Sequence, residues 1–221
     1  MSAVLEMVKP QTKRMSQILY DVSWEEYEQL LAAYLGKSFP RFNYNDGVLE
    51  VVMPNSVPHE EENRTLARLF EFIAVELEID FRNFGSATFK KKDVRKGVEP
   101  DSCFYIQSVK AIEGRRDFTL EDAPPPDLII ETDVTSSSLP RFPIFAALGV
   151  PEVWRFDSND EQVRFYRLEN GKYREIENSL ALPILTSQRA TEFLEESREL
   201  SSTAWVKRVC GWTRGKMETA K

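Results

Sequence analysis

The stretch 127–132, Asp-Leu-Ile-Ile-Glu-Thr, decides the fold class of this chain. Its apolar residues follow one another without polar alternation, which is typical of a central strand covered on both faces. A helical pattern over 139–148 comes next and ends at Gly149, and a second strand-like run occupies 152–157. Strand, helix and strand in this order predict a β-α-β unit, so we expect an α/β protein.

Capping residues and periodicity predict the helices on the N-terminal side. Ser23 and Glu26 have the spacing of a capping box, and the apolar stripe that follows them ends near Gly36. The longest helical pattern covers 58–78, where apolar residues recur at helical spacing between polar ones. Each of these patterns predicts an amphipathic helix with one buried face.

Turn-forming residues predict two β-hairpins. Asn45-Asp46-Gly47 and Asn170-Gly171 contain residues that tolerate the positive φ of a tight primed turn. The strand-like runs outside the β-α-β unit lie at 42–44, 48–53, 87–91, 101–106, 161–168 and 172–176. We therefore expect one hairpin before the long helix and a second hairpin after the β-α-β unit.

Length and composition indicate an ordinary globular protein. The chain has 221 residues, 42% of them hydrophobic and 29% charged, which suits one domain with a large core. We divide it into a flexible N-terminal arm at 1–20, an α/β domain at 21–180 and an extension at 181–221 with two short helices, 187–196 and 201–212. Cys103 and Cys210 are far apart and lack a metal-type spacing, so both are expected to be reduced.

Charge and hydropathy indicate where the protein is located and which kinds of nucleic-acid binding are compatible with it. No apolar run reaches the length of a membrane span, and the first residues lack the apolar core of a signal peptide, which predicts a cytoplasmic protein without a membrane partner. The net charge of -7 argues against a protein that coats nucleic acid non-specifically, because the affinity of such proteins comes from neutralised phosphates. An enzyme that binds a polyanion locally through a metal ion is still compatible with this charge.

Two acidic residues stand at the ends of predicted strands. Asp101 follows Pro100 at the start of one strand, and Glu131 comes directly after the apolar run of another. Carboxylates on adjacent strands suit Mg²⁺, which takes oxygen ligands and keeps its other positions for water and substrate phosphate. Alternatively, Asp101 caps a turn and Glu131 lies in solvent. The apolar run before Glu131 argues against that alternative, because burying an unpaired charge is costly.

Four segments carry a resemblance to a known family, and they occur in this order: MPNSVPHEEENRTLARL (53–69), GVEPDSCFYIQ (97–107), PPDLIIETDVTSSSL (125–139) and ALGVPEVWRFD (147–157). Together they make the region 24–180 similar to the Uma-type restriction-endonuclease-like family, a branch of the PD-(D/E)XK nuclease superfamily. The resemblance implies a restriction-endonuclease-like αβββαβ core with a mixed sheet. The predicted helix and hairpin precede this core, and a hairpin and short helices follow it.

The resemblance also implies a metal site and a substrate. Mg²⁺, or Mn²⁺, would be held by Asp101, Glu131 and the backbone carbonyl of Thr132. In that superfamily a metal-activated water attacks the scissile phosphate in line, while the metal and a nearby cation stabilise the developing charge. The implied activity is endonucleolytic hydrolysis of DNA. A homodimer is expected by analogy, because cutting both strands of a duplex suits two-fold symmetry.

The chain departs from the superfamily at the catalytic lysine. Asp133 stands two residues after Glu131, where the superfamily has a Lys, and Arg141 aligns with a Lys that has moved into the next helix. Arg can bind phosphate through two hydrogen bonds but does not readily lose a proton, so the exchange is not conservative. We expect Arg141 to face the site, and turnover depends on whether Arg can take the role of Lys.

The start of the long helix offers two more candidates. His59 matches a recurrent His of the family after a Pro-rich turn, and we assign Glu62 to the metal site because the first core helix of the superfamily commonly carries an acid towards the metal. The alternatives are a solvated or capping His and an acidic first turn that is favoured by the helix dipole.

A basic run precedes the PD motif and consists of Lys90, Lys91, Lys92, Arg95 and Lys96. It predicts contacts to the phosphate backbone, which would position a duplex without reading its bases. The alternative is a solvated face, which is the commoner reason for a run of charges.

Two other function classes stay open beside the nuclease. One is a catalytically inactive relative that binds DNA or protein, which Arg141 and the acidic net charge favour. The other is a glycosidase with paired carboxylates, a reaction that gives no reason for the basic run.

Overall fold

The computed structural model describes residues 16–53, 57–115, 119–133 and 140–219, and of residues 57–59 and 133 it describes the backbone alone. Within these ranges the chain forms five α-helices and eleven strands. The helices are α1 (Trp24–Ala33), α2 (Val57–Glu76), α3 (Phe142–Leu148), α4 (Ser187–Glu199) and α5 (Ser202–Thr219). The strands are β1 (Ser16–Leu19), β2 (Arg41–Asn45), β3 (Val48–Val52), β4 (Arg82–Asn83), β5 (Phe89–Lys91), β6 (Lys96–Val98), β7 (Ser102–Tyr105), β8 (Leu128–Asp133), β9 (Glu152–Asp157), β10 (Gln162–Glu169) and β11 (Lys172–Ile176).

Six of the strands form the core sheet, in the order β11-β10-β9-β8-β7-β4. Strands β8 and β9 are parallel and flank α3 in the chain, so the predicted β-α-β unit is confirmed. The other neighbours in this sheet are antiparallel. The succession α2, β4, β7, β8, α3 and β9 gives the αβββαβ core with a mixed sheet that the family resemblance implied.

The first strand of this core was not predicted from the sequence. The predicted run 87–91 contains β5, which pairs with β6 in the second sheet. The core position is taken by β4, whose residues Arg82 and Asn83 pair with Tyr105 and Phe104 of β7. Both β4 residues are exposed, so this strand carries no apolar pattern. Its pairing is decided by the neighbouring strand rather than by its own residues.

The remaining five strands form the hairpin sheet, in the order β1-β3-β2-β6-β5. The apolar face of this sheet packs on α1, where the buried rings of Tyr27 and Tyr44 stack with centroids 4.9 Å apart and Trp24 meets both edge-on. The outer strand β1 lies within the predicted arm 1–20, so the described part of that segment is an ordered strand paired with β3. Residues 1–15 of the predicted arm lie outside the described residues.

Both faces of the core sheet are buried at β8, which explains the unbroken apolar run of this strand. Phe104 and Ile130 point into a cluster formed with α2, α4 and α5. Cys103 and Ile129 point to the opposite face, where they pack with the apolar residues of α3. Phe193 and Trp205 of the C-terminal helices enter the same cluster as α2, so this region packs into the domain core. No helix in the described ranges is long and apolar enough to cross a membrane.

The predicted capping box and both predicted hairpin turns are confirmed, whereas α1 ends with Tyr34 as its C-cap, two residues before the predicted Gly36. Ser23 and Glu26 form the capping box of α1, with the Glu26 N–H donating to Ser23 Oγ at 3.2 Å and the Ser23 N–H to Glu26 Oε2 at 2.9 Å. The hairpin turns have positive φ at both central positions, 45° and 93° at Asp46-Gly47 and 50° and 75° at Asn170-Gly171. Such turns and caps depend on only a few adjacent residues, so they are among the features most directly predicted from a sequence.

Gly97 lies where the hairpin sheet meets α1, and its lack of a side chain is required. A Cβ at this position would lie 2.1 Å from the Tyr27 hydroxyl oxygen. Tyr27 is fully buried and stacked on Tyr44, so it has no room to withdraw. We predict that Gly97→Ala lowers the free energy of unfolding by about 1–3 kcal/mol, as overpacking does in other cores.

Urea or thermal unfolding measures this effect, and Gly211→Ala is the matched control. Gly211 is exposed on α5 with open space around it, so alanine should stabilise the helix there by up to about 1 kcal/mol. If the two substitutions changed the free energy of unfolding equally, the predicted clash of the new Cβ with Tyr27 would be wrong.

Glu152 is a buried carboxylate that holds the segment between β11 and α4. It accepts hydrogen bonds from Trp154 Nε1 at 2.9 Å, from the Leu180 N–H at 3.0 Å and from the Ala181 N–H at 2.8 Å. Burial raises the pKa of Glu152 above its ordinary value of 4.5 more strongly than these hydrogen bonds lower it. The folded protein therefore binds a proton at Glu152 more readily than the unfolded chain does.

This raised pKa sets the sign of a pH dependence. Because the folded state holds the extra proton just above pH 4.5, its stability should fall as the pH rises through the folded-state pKa of Glu152. Glu152→Gln cannot titrate at this position. We predict that the free energy of unfolding of the wild type, minus that of Glu152→Gln, decreases as the pH is raised above 4.5 in urea titrations. A difference that increases with pH would contradict the assignment.

Candidate active site

Asp101 and Glu131 are brought together by the pairing of β7 with β8. Ser102 pairs with Ile130 in the antiparallel register, so the residue before Ser102 stands beside the residue after Ile130. Opposite residues of an antiparallel pair point to the same face. The Thr132 N–H donates to Asp101 Oδ2 at 3.0 Å, which fixes the aspartate against the end of β8. Glu131 is 3% exposed, so the acid that follows the apolar run is buried.

Asp101 is also held by a cation from the hairpin sheet. Arg41 of β2 donates from Nη1 to Asp101 Oδ1 at 2.7 Å, and its Nη2 lies 3.6 Å from Glu60 Oε1. The side chains of Arg41 and Asp101 are only 12% and 5% exposed. The hairpin sheet therefore contributes directly to the site, and Glu60 is an acid of α2 that reaches it through Arg41.

Arg141 faces the site, as the sequence predicted. It directly precedes α3 as the N-cap residue, and its Nη1 forms an ion pair and hydrogen bond with Glu131 Oε2. Its Nε lies 3.8 Å from Glu50 Oε2. The guanidinium is thus a cation shared by two buried carboxylates. A positive charge placed here stabilises the burial of Glu131, and the same charge could stabilise an anionic substrate group.

Glu50 of β3 is a member of this site that the sequence reasoning missed. Its side chain is 1% exposed, and Oε2 accepts from Asn43 Nδ2 at 3.0 Å across the hairpin. Leu49 and Val51 belong to the core that packs on α1, so the alternation of the strand directs Glu50 to the opposite side, towards Arg141. The sequence did contain a signal for Glu50, because this residue is a single acid in the middle of an apolar strand. Glu131 was noticed for a similar reason, since it comes directly after an apolar run.

Glu99 fixes the segment that leads into Asp101. Its carboxylate accepts from the Phe42 N–H at 3.1 Å and from Thr88 Oγ1 at 2.7 Å, and its own N–H donates to Asn43 Oδ1 at 3.2 Å. Burial raises the pKa of Glu99, and the hydrogen bonds and the Arg41 charge only partly oppose this. Glu99 therefore anchors the segment before Asp101 to β2 and so positions the aspartate.

Three further residues were predicted to belong to the site: Glu62, His59 and Asp133. Glu62 accepts from Arg198 Nη2 of α4 at 3.0 Å, so the structure places it against the C-terminal helices rather than beside Asp101. The helical phase explains this, because residues two positions apart point to different sides of a helix. The side chains of His59 and Asp133 lie outside the described residues.

The basic run lies along β5 and β6 and is largely matched by acids. Lys90 lies 2.5 Å from Glu28, Lys92 lies 3.5 Å from Glu25, and Arg95 lies 2.7 Å from Asp46. Lys91 and Lys96 are opposite each other in the register of the two strands. The contact of this run with phosphate stays a prediction, and these ion pairs favour the alternative of a surface with balanced charge.

The donor atoms at the site fit a hard divalent cation. Asp101 and Glu131 offer carboxylate oxygens, which Mg²⁺ and Mn²⁺ prefer. No three His, Cys, Asp or Glu side chains converge on one point in the described part of the chain, so further ligands have to come from backbone, water or substrate. Burial raises the pKa of the free Cys103 thiol to about 12, so this neighbour offers no thiolate.

Comparison with known proteins agrees with this fold. A family model described as "Uma2: Putative restriction endonuclease" matches residues 24–200. The fold is similar to the crystal structure of a "putative nuclease belonging to DUF820 from Anabaena variabilis", with 16% sequence identity and a TM-score of 0.54. That similarity covers 78% of this chain and 99% of the other. No curated protein matches the chain. Since the family model spans most of the chain, including both strands that carry Asp101 and Glu131, this protein belongs to the Uma2 family.

Proposed function

We propose that this protein is a metal-dependent endonuclease that hydrolyses phosphodiester bonds in DNA. The observation that supports this function best is the position of Asp101 and Glu131 at adjacent strand ends, with Arg141 in contact with Glu131. Two carboxylates and a cation are the groups that phosphodiester hydrolysis requires for metal binding and charge stabilisation. Membership in the Uma2 family supports the same reaction class.

Asp101, Glu131 and the carbonyl of Thr132 would hold the metal. The Thr132 N–H points to Asp101, and the N–H and C=O of one strand residue point to the same side of the strand. This geometry supports the carbonyl as a third oxygen donor near the aspartate. Mg²⁺ or Mn²⁺ bound there would activate water and neutralise charge on the scissile phosphate.

The arginines supply the fixed positive charge. Arg141 contacts Glu131 and Arg41 contacts Asp101, so each proposed ligand is paired with a guanidinium. Once the carboxylates are engaged elsewhere, Arg141 can present two parallel N–H donors to a phosphate. A guanidinium is a poor proton acceptor, so the role of Arg141 would be to stabilise negative charge rather than to accept a proton from water.

One observation favours the second candidate function, an inactive relative that binds DNA or protein. Arg141 contacts both Glu131 and Glu50, and this cation reduces the negative charge that would attract a metal. In that case the ion pairs would be structural, and binding would not be followed by cleavage.

Nicking of a supercoiled plasmid by the purified protein separates the two functions. We expect nicked circles in Mg²⁺ or Mn²⁺ and none in EDTA. A shift of DNA mobility without cleavage in either metal, together with no Mn²⁺ binding by calorimetry, would favour the inactive relative. Cleavage that persists in EDTA would contradict the metal mechanism.

A further inference from the structure

A cleft of 510 Å³ runs between α2 and the β4 edge of the core sheet and ends at the proposed active site. Asp101 and Ser102 line its inner end, and one face of α2 forms a wall. The lining residues of α2 recur at helical spacing and are Glu60, Asn63, Arg64, Ala67, Arg68 and Glu71. A ligand in this cleft would therefore lie along α2 with one end at Asp101.

Two cations of this wall are available to an anionic ligand. Arg64 is exposed, and it forms no ion pair within the described residues. Arg68 also forms no ion pair there, and its guanidinium lies 5.7 Å from the ring centre of Phe72 and 5.5 Å from that of Trp205. These aromatic contacts orient Arg68 without neutralising its charge.

The acids of the same cleft are already engaged by other groups. Glu71 accepts from Asn83 Nδ2 at 2.8 Å, and Glu60 lies 3.6 Å from Arg41. Arg64 and Arg68 are one helical turn apart, about 6 Å along the axis, so both can reach successive anionic groups of an extended chain. The cleft thus has two arginines along α2 that form no ion pair with any described residue, and its inner end lies at the proposed ligand Asp101.

We infer that this cleft receives the phosphodiester backbone of the DNA strand that flanks the scissile phosphate, with Arg64 and Arg68 contacting its phosphates. This inference rests on the proposed function. It makes the cleft, rather than the basic run 90–96, the main contact with the DNA backbone. Three cations of that run are held by carboxylates, whereas neither α2 arginine pairs with a carboxylate in the described ranges. Contacts of this type position the strand and carry no base specificity.

Fluorescence anisotropy with a labelled duplex, measured without a cleaving metal at several salt concentrations, tests the inference. Arg64→Ala and Arg68→Gln should each weaken binding several-fold. Each should also lower the slope of log K against log salt by about 0.9, the value for one lost phosphate contact. Arg174→Ala, which removes an exposed arginine of β11 outside the cleft, should leave both quantities unchanged. Thermal unfolding of every variant controls for stability.

The outcomes separate this inference from the proposed function. If Arg64→Ala and Arg68→Gln bind like the wild type while Lys91→Ala and Lys96→Ala bind more weakly, the basic run is the contact and the cleft assignment is wrong. Absence of duplex binding by the wild type also overturns it. Binding that depends on the α2 arginines without metal-dependent nicking would keep the cleft and contradict the nuclease.

Discussion

Asp101→Asn and Glu131→Gln should each reduce metal-dependent plasmid nicking by about 10³-fold or more, equivalent to about 4 kcal/mol of transition-state stabilisation. Both substitutions keep the size and shape of the side chain but remove the negative charge that binds a divalent cation. In Asp101→Asn the amide oxygen could still accept a hydrogen bond from Arg41 or Thr132, so the fold should survive. The measurement is the initial rate of nicking in Mn²⁺, with Mn²⁺ affinity determined by calorimetry.

Glu161→Gln is the control for this pair, because Glu161 is an exposed acid whose described contact is with Arg198 rather than with the site. It should nick at the wild-type rate. Wild-type rates in Asp101→Asn or Glu131→Gln would refute the metal assignment and point to a contaminating nuclease. Loss of cleavage with unchanged Mn²⁺ affinity would instead show that the metal binds elsewhere.

The core of the fold could be predicted because its signals are local. The apolar run of β8 needs only its own residues to indicate a strand covered on both faces, and Gly149 ends α3 with a φ of 84° as a C-cap glycine does. The partner of a short strand is a non-local choice. For that reason β4, with two exposed residues, escaped prediction, and the sequence did not indicate that β5 pairs within the hairpin sheet.

Some residues of the candidate site could be predicted from the sequence and others could not. Asp101, Glu131 and Arg141 were found together because the family motifs lie on β7, β8 and the turn before α3. Arg41 and Glu50 come from the hairpin sheet, at sequence positions with no fixed spacing to the motifs. Only the packing of one sheet against the other brings them to the carboxylates, so a motif search could not include them.

The surroundings of a charged residue cannot be predicted from its neighbours in the sequence alone. The basic run was predicted to contact phosphate because five cations lie close together in the sequence. Glu25 and Glu28 of α1 pack beside its strands and pair with two of its lysines. In contrast, Arg64 and Arg68 are separated in the sequence and form a row only because α2 has 3.6 residues per turn.

Arg141→Ala should lower the free energy of unfolding by about 3–5 kcal/mol, the usual effect of removing one partner from a buried ion pair. The substitution takes away the cation that contacts Glu131 and Glu50, whose side chains are 3% and 1% exposed. Two buried carboxylates would then face each other without that charge. A lysine at this position keeps the charge, so Arg141→Lys should retain most of the stability.

A divalent cation should reverse part of this loss. If the proposed site is correct, Mn²⁺ binds where the guanidinium now contacts Glu131, and it should raise the melting temperature of Arg141→Ala more than that of the wild type. The reason is that the variant has no cation to displace. Arg164→Ala is the control: its pair with Asp160 is exposed, so its stability should stay near the wild type and should not respond to Mn²⁺ differently.

Arg141→Lys connects this thermodynamic test to turnover. The ammonium group of a lysine can lose its proton to solvent, and the neutral amine can then accept a proton from the attacking water. A guanidinium does not readily do this, so nicking by Arg141→Lys should be about tenfold faster or more. Unchanged or lower rates would count against Arg141 as the displaced catalytic cation. A larger Mn²⁺ stabilisation of the wild type than of Arg141→Ala would show that the metal and the guanidinium do not compete. Agreement of both measurements would place the two cations on the same carboxylate, which is the central requirement of the proposed site.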